Sequence, residues 1–296
     1  MSEPPSRSRG PDLTDLSREE RRSLTHGEFW IPASERRIYR SALERLNRAG
    51  IPYVVSGLYA IYAYTGIYRQ TKDLDLLFEP RYVLRAARVL RDAGFRMVLK
   101  QVHWIAKARK DGSTIDLIYG TGNGLHLIDG AWYANSRPGI LAAAPVRVAP
   151  PEDLIWHRLF ISERHRSDMA DIVHLILMRG DELDWERLLQ RAGEHWRLLL
   201  TQLHFFDYVY PGHGHRIPTW VREELYEQAY ETIRAPGDPS VCRGTLVSRF
   251  SFAIDVNEWN FVDLRARAVE RMRRRPIIRE IRASEVWDRV PSDVEA

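Results

Sequence analysis

The chain has 296 residues, 44% hydrophobic and 28% charged, with a formal net charge of +4, a balance that suits one large or two modest globular domains and excludes fibrous and collagen-like chains. No apolar run approaches the roughly 18 residues of a membrane span, and the opening MSEPPSRSRGPDLTD lacks the apolar core of a secretory signal, so no membrane partner and a cytoplasmic location are expected. The single cysteine, Cys242, cannot form an internal disulfide, in keeping with a reducing compartment.

In chain order, residues 1 to 25 are rich in Pro, Ser, Arg and Asp and predict a flexible tail. The spacing of Ile38, Ala42, Leu43 and Leu46 predicts a helix over 34 to 48, closed by Gly50. IPYVVS, 51 to 56, reads as a short buried strand. Past Gly57, Leu58, Ile61, Tyr62 and Thr65 recur at helical spacing up to Gly66. A strand therefore feeds a glycine turn and a helix.

In DLDLLFE, alternation puts Asp73, Asp75 and Leu77 on one face and Leu74, Leu76 and Phe78 on the other. A helix through Val83, Ala86, Ala87 and Leu90 follows, stopped by Gly94. VHWIAKA, 102 to 108, and STIDLIY, 113 to 119, flank Lys110, Asp111 and Gly112 and predict a hairpin. Asp116 lies mid-strand in its second arm, opposite in face to Ile115 and Leu117. A loop to about Pro138 and a last strand at 146 to 148 follow.

Pro150 and Pro151 before Glu152 and Asp153 announce a helix start. The character then turns helical: Met169, Ile172, Val173 and Ile176 form one stripe, and WERLLQRAGEHWRLLL and TWVREELYEQAYETI are helical as well. The expected organisation is a tail (1 to 25), an α/β (α+β) domain with a mixed sheet flanked by helices (26 to 149), a helical domain (150 to 234), and a helical, basic extension (235 to 296) with the run RMRRRP.

An ionised carboxylate costs several kcal/mol to bury unless paired or bound to metal, so Asp73 and Asp75 in an apolar run need a chemical reason. With Asp116 they make three carboxylates on adjacent strands, near a glycine turn whose N–H groups and helix dipole suit phosphate. Such acids suit Mg²⁺ or Mn²⁺ and phosphoryl or nucleotidyl transfer.

At these residues the sequence resembles the nucleotidyltransferase superfamily of the polymerase-beta type, especially its bacterial stand-alone and toxin-like branch. The matching residues are Ser56-Gly57, then Arg69, Thr71, Asp73 and Asp75, and Asp116 in TIDLI. PEDLIWHRLFISERHRSDMADIVHLI resembles that branch's helical segment, and the likeness covers about residues 36 to 180.

The resemblance implies that Asp73, Asp75 and Asp116 are catalytic and bind metal, Asp116 also orienting or deprotonating the acceptor. It implies a nucleotide-binding set of Ser56, Gly57, Arg69, Thr71, Lys72, Arg158 and Asp168. The reaction implied is transfer of a nucleoside monophosphate from a nucleoside triphosphate, ATP among them, to a hydroxyl or phosphate of RNA, protein or a small molecule. An antitoxin-type partner is implied by the toxin-like branch. The chain departs from the pattern at Ser56, where the first glycine usually stands, at His157-Arg158, where a lysine is frequent, and at Ser167-Asp168, in place of Lys-Asp.

Two other classes stay open on the sequence: a non-catalytic nucleotide- or RNA-binding relative, and a helical metal phosphohydrolase using His157, His165, Asp168, Asp171 and His174. Against the latter, Arg164 is one turn from Asp168 and positioned to pair with it. His213 and His215 are candidate metal ligands in an exposed loop, and Trp132 and Tyr133 are candidates either for base stacking or for packing.

Overall fold

The computed structural model describes residues 29–235 and 237–288; the tail expected over 1 to 25 lies outside them. Helix α1 (Ala33–Arg48) buries Tyr39, Ala42, Leu43 and Leu46 along one stripe, the period its sequence predicts. Strand β1 (Val54–Val55) leads into α2 (Gly57–Thr65), which ends in the left-handed Gly66. Helix α2 buries Tyr59, Ala60, Ile61, Tyr62 and Tyr64, nearly its whole circumference, so it sits between other elements. Strand β2 (Leu74–Leu77) begins one residue after Asp73, and helix α3 (Pro80–Asp92) follows with proline in its first turn.

The hairpin of β4 (Ile105–Lys110) and β5 (Ser113–Ile118) closes through Asp111 and Gly112, both at positive φ. Its first arm starts at Ile105 and not at Val102, because an additional strand, β3 (Arg96–Gln101), precedes it and residues 102–104 make the turn between them. This edge strand lacks clean alternation. Its edge is closed by Asp288, whose carboxylate accepts from the Met97 N–H and whose N–H donates to the Met97 carbonyl, both at 2.7 Å.

After the short helix α4 (Gly130–Ala134), the predicted loop to Pro138 is instead followed at once by an edge strand, β6 (Arg137–Leu141), paired with β7 (Ala144–Val148). Ala142 and Ala143 make the connecting turn at φ 51° and 61°. Such a turn normally announces itself with Asn-Gly or Asp-Gly, and two alanines give no such notice.

The seven strands run in the order β3-β4-β5-β2-β1-β7-β6. The sheet is mixed: β2 runs parallel to β5 and β1 parallel to β7, while β1 and β2 are antiparallel. Leu74, Leu76, Ile115 and Leu117 are wholly buried, as the alternation requires. The C-terminal end of β1 therefore meets the N-terminal part of β2, beside the parallel Asp116.

Helix α5 (Pro151–Arg158) starts at the double proline. Its first-turn acids also hold guanidinium groups: Asp153, fully buried, takes Arg187 and, at 2.9 Å, Arg191, while Glu152 takes Arg187 at 3.4 Å. A small hairpin, β8 (Ser162–Glu163) and β9 (Arg166–Ser167), interrupts the helical run before α6 (Met169–Arg179). Helices α7 (Trp185–Ala192), α8 (Trp196–Val209) and α9 (Thr219–Arg234) follow.

The remainder carries the parallel pair β10 (Val241–Cys242) and β11 (Val262–Asp263), with α10 (Ala253–Asn257) between them, and then α11 (Leu264–Arg273) and α12 (Pro276–Ala283). No described helix is long and apolar enough to cross a membrane.

Candidate active site

The β1–β2 pairing extends one residue past β1, where the Ser56 N–H donates to the Asp75 carbonyl at 2.9 Å. That contact sets Gly57 against the Asp75 side chain. Gly57 has φ +60°, and a Cβ there would lie 1.9 Å from Asp75 Oδ2. Glycine is required twice over, for the left-handed backbone and for the close approach. The start of α2 thus faces the carboxylate site directly. Ser56 is buried, and its hydroxyl caps no N–H of α2.

Asp75 and Asp116 are direct register partners on the parallel strands β2 and β5. Asp73 stands just before β2, where the Thr71 hydroxyl lies 3.1 Å from its carbonyl and 3.3 Å from Oδ1. Thr71 thereby orients Asp73. Among the described residues no hydrogen bond or ion pair engages the Asp75 carboxylate. Desolvation, then repulsion from Asp73 and Asp116, pushes its pKa up to about 7.

Asp116 is buried, and burial raises its pKa against the pull of Lys107. The Lys107 ammonium donates to both of its oxygens, at 2.7 and 2.8 Å, and stands 3.8 Å from Asp73 Oδ2. Lys107 escaped the sequence reading except as one of four lysines near the acids. The hairpin arithmetic contains it: a turn that pairs Lys110 with Ser113 pairs Lys107 with Asp116.

The second cluster hangs over the α2 end of the site. Arg158 on α5 is buried, donates to Asp171 at 3.2 Å and to the Gly57 carbonyl at 3.3 Å, and lies 3.9 Å from Asp168. Arg166 on β9 grips Asp168 with two bonds of 3.0 Å, and its field reaches Asp75. Asp168 therefore takes Arg166 and not the expected Arg164. Arg69, expected at phosphate, pairs with Asp171.

Three guanidinium groups over two carboxylates leave one positive charge. Asp168 is gripped by Arg166 and stands beside Arg158. Arg166 and Arg69 are the members with open faces, their side chains 62% and 46% exposed, and Lys72 is exposed as well. Sequence reasoning missed Arg166 because it lies on a hairpin that interrupts a helical pattern. That hairpin is pinned from the C-terminal region: the Ser162 N–H donates to Val247 O at 3.1 Å, and Glu163 accepts from Ser248 Oγ at 2.6 Å and from the Arg249 N–H at 3.2 Å.

Among the described residues no group of three or more His, Cys, Asp or Glu side chains is placed to hold a metal ion. At the helical set, Asp168 and Asp171 are committed to arginines, and burial pushes His157 down to about 4. His213 and His215 are exposed with rings 5.9 Å apart. Trp132 is buried 6.2 Å from Trp156, so it packs and presents no face to a base, while Tyr133 lies under Arg147.

At the strand set, the donor chemistry fits a hard cation: Asp73 and Asp75 offer carboxylate oxygens, and Asp75 is a desolvated acid without a counter-charge in contact. Asp116 is brought to the same place but is occupied by Lys107.

Residues 32–203 match the model of the family described as uncharacterised nucleotidyltransferase. No curated protein matches the sequence. Similar solved structures include the antibiotic-resistance factor ANT(2'')-Ia, with TM-score 0.38, 17% identity, and coverage of 69% of this chain and 97% of that one. The lincosamide antibiotic adenylyltransferase LnuA gives TM-score 0.36, 15% identity, and coverage of 47% and 94%. An antigenic nucleotidyltransferase-like protein from Paracoccidioides brasiliensis gives 0.35, 17%, 58% and 93%. The assignment rests on the family match, which spans more than half of the sequence and contains the glycine turn, the three aspartates and the three arginines of the second cluster: the chain belongs to this nucleotidyltransferase family.

Proposed function

We propose that the chain uses Mg²⁺ or Mn²⁺ to transfer a nucleoside monophosphate from a nucleoside triphosphate to an acceptor hydroxyl or phosphate. The observation that carries this reading is the register pairing of Asp75 with Asp116 beside Asp73, with Gly57 packed on Asp75 at the start of α2. In the reaction the acceptor oxygen bonds to the α-phosphorus, a hydroxyl acceptor giving up its proton to solvent, while the bond from the α-phosphorus to the oxygen bridging to the β-phosphate breaks and pyrophosphate leaves with that oxygen.

Asp73 and Asp75 would hold the cation, which supplies Lewis-acid polarisation of the α-phosphate and offsets charge on the leaving group. The N-terminal turn of α2 offers N–H groups and a positive dipole to the triphosphate. Arg166, with Arg158 behind it, supplies guanidinium charge from the other side. Thr71 fixes the Asp73 carboxylate. Arg69 and Asp168 act one step back, through Asp171 and Arg166 respectively.

The test is transfer of label from each of the four common nucleoside triphosphates, radiolabelled at the α-phosphate, to pooled tRNA, protein and small-molecule extract with Mg²⁺. Label transfer by the wild type that is lost in Asp73→Ala/Asp75→Ala is the expected result, and the labelled fraction names the acceptor class. Absence of transfer, together with absence of Mg²⁺-dependent triphosphate binding by calorimetry, would overturn the proposal and leave a chain that keeps the fold without its chemistry.

A further inference from the structure

Resting on that reading of the site, we propose that the Lys107 ammonium occupies the place of a second cation, so that this chain works with a single divalent ion held by Asp73 and Asp75. The position of Lys107 is set by backbone. Six register pairs join β4 to β5, closed by the Asp111–Gly112 turn, and one of them puts Lys107 opposite Asp116. The side chain then spends its donors on the site: both Asp116 oxygens lie within 2.8 Å, and Asp73 Oδ2 lies at 3.8 Å. It is also sheltered, with 20% of its side chain exposed.

Charge balance points the same way. Asp73, Asp75 and Asp116 carry three negative charges when ionised, and Lys107 returns one positive, leaving two. One divalent ion neutralises that remainder. A second would give the carboxylate cluster a surplus of two positive charges, beside an arginine cluster that already exceeds Asp168 and Asp171 by one. A second dication drawn to Asp116 would have to compete with the ammonium that already donates to both of its oxygens, and like charges a few Å apart in a partly desolvated site repel strongly. Lys107 is therefore a positioning residue. It holds the Asp116 carboxylate fixed and compensated beside the ion, and it leaves Asp73 and Asp75 as the ligands that recruit it.

The experiment counts ions. Mn²⁺ is titrated into the full chain, with each of the four nonhydrolysable α,β-methylene nucleoside triphosphates at saturation, and bound Mn²⁺ is read from the loss of the free-ion electron paramagnetic resonance signal, corrected for analogue alone. One ion per chain is expected in the wild type and in Lys107→Arg, which keeps the cation, and two in Lys107→Met, which frees Asp116. Two ions in the wild type, or one in a folded Lys107→Met, would overturn the inference. Should Lys107→Met fail to fold, the wild-type count decides alone. A wild type that binds no Mn²⁺ with any analogue would instead overturn the transfer reading, so the two failures are distinguishable.

Discussion

Gly57 stands so close to Asp75 that a Cβ would fall 1.9 Å from Oδ2 and 2.9 Å from Cγ. Gly57→Ala meets both that clash and a φ of +60°, which costs a non-glycine residue about 1–2 kcal/mol. Asp75 must move aside, and displacement of a reacting group by about 1 Å costs on the order of a hundredfold in rate. The expected outcome is a lower Tm and a fall in kcat of about that size. Ser56→Gly provides the contrast. Ser56 has φ −126° and a hydroxyl that caps nothing, so its loss should change triphosphate affinity less than about twofold; calorimetry on the pair of variants checks both statements, and a Gly57→Ala chain with wild-type kcat would refute the first.

Asp75 makes stability depend on pH in a direction opposite to that of most carboxylates. Its pKa rises from 3.8 to about 7 on folding, so between these values the native state holds a proton that the unfolded state has lost. Stability therefore falls as pH rises through that window, and above it the full penalty is present. A shift of this size corresponds to an upper bound of about 4 kcal/mol, and because water reaches this half-buried side chain a value on the order of 1–2 kcal/mol is the sounder expectation. Without divalent ions, Asp75→Asn should raise Tm at pH 8 and leave it nearly unchanged at pH 4. Scanning calorimetry across the range tests this, and an Asn variant less stable than wild type at pH 8 would contradict it.

The elements legible in the sequence are those where local chemistry and tertiary role agree. Period-two alternation placed Leu74, Leu76, Ile115 and Leu117 in the core and the aspartates on the opposite face, and Asp111-Gly112 announced the hairpin. Strand β6 was not legible, because its turn is formed by Ala142 and Ala143 at positive φ, stabilised by the sheet and not by propensity. The partner of Asp168 was missed for a related reason: helical spacing selects Arg164, but the chain leaves the helix for the β8–β9 hairpin, and Arg166 arrives instead. The pairing of Arg69 with Asp171 spans 102 positions, and no local pattern encodes such a contact. Lys107 is the exception. Its pairing with Asp116 follows from the turn, so a register count along the hairpin finds it.

Arg158 and Arg166 share carboxylates but differ in exposure, and this separates their roles. Arg158→Met removes a buried cation, 5% exposed, from beside Asp168 and Asp171; these keep Arg166 and Arg69, so the cost is that of a buried charge-assisted hydrogen bond, about 1.5–3 kcal/mol. Arg166→Met removes a cation that is 62% exposed and leaves Asp168 near Arg158, so its stability cost should stay near 1 kcal/mol. Its effect should fall on the nucleotide, with KM raised about tenfold or more, as expected for loss of a charge-assisted bond worth on the order of 1.5–3 kcal/mol. Chemical denaturation and steady-state kinetics on the two variants test the division. Equal loss of stability in both would mean that Arg166 is structural.

The hairpin that presents Arg166 is held by residues outside the family match. Glu163 accepts from Ser248 Oγ at 2.6 Å and from the Arg249 N–H at 3.2 Å, and Ser162 donates to Val247 O at 3.1 Å, whereas the match ends at residue 203. Glu163→Ala cuts two of these three ties at the rim of the fold, where each hydrogen bond contributes about 0.5–1.5 kcal/mol. The backbone tie at Ser162 remains, so the hairpin loosens without detaching. Arg166 then samples positions away from the phosphates, and the apparent nucleotide affinity drops by the fraction of time it is misplaced. The expected signature is a KM for the nucleoside triphosphate raised severalfold with kcat nearly unchanged, and a similar change in Ser248→Ala. If kcat fell while KM held, the C-terminal contact would be acting on the carboxylate site itself and not through Arg166.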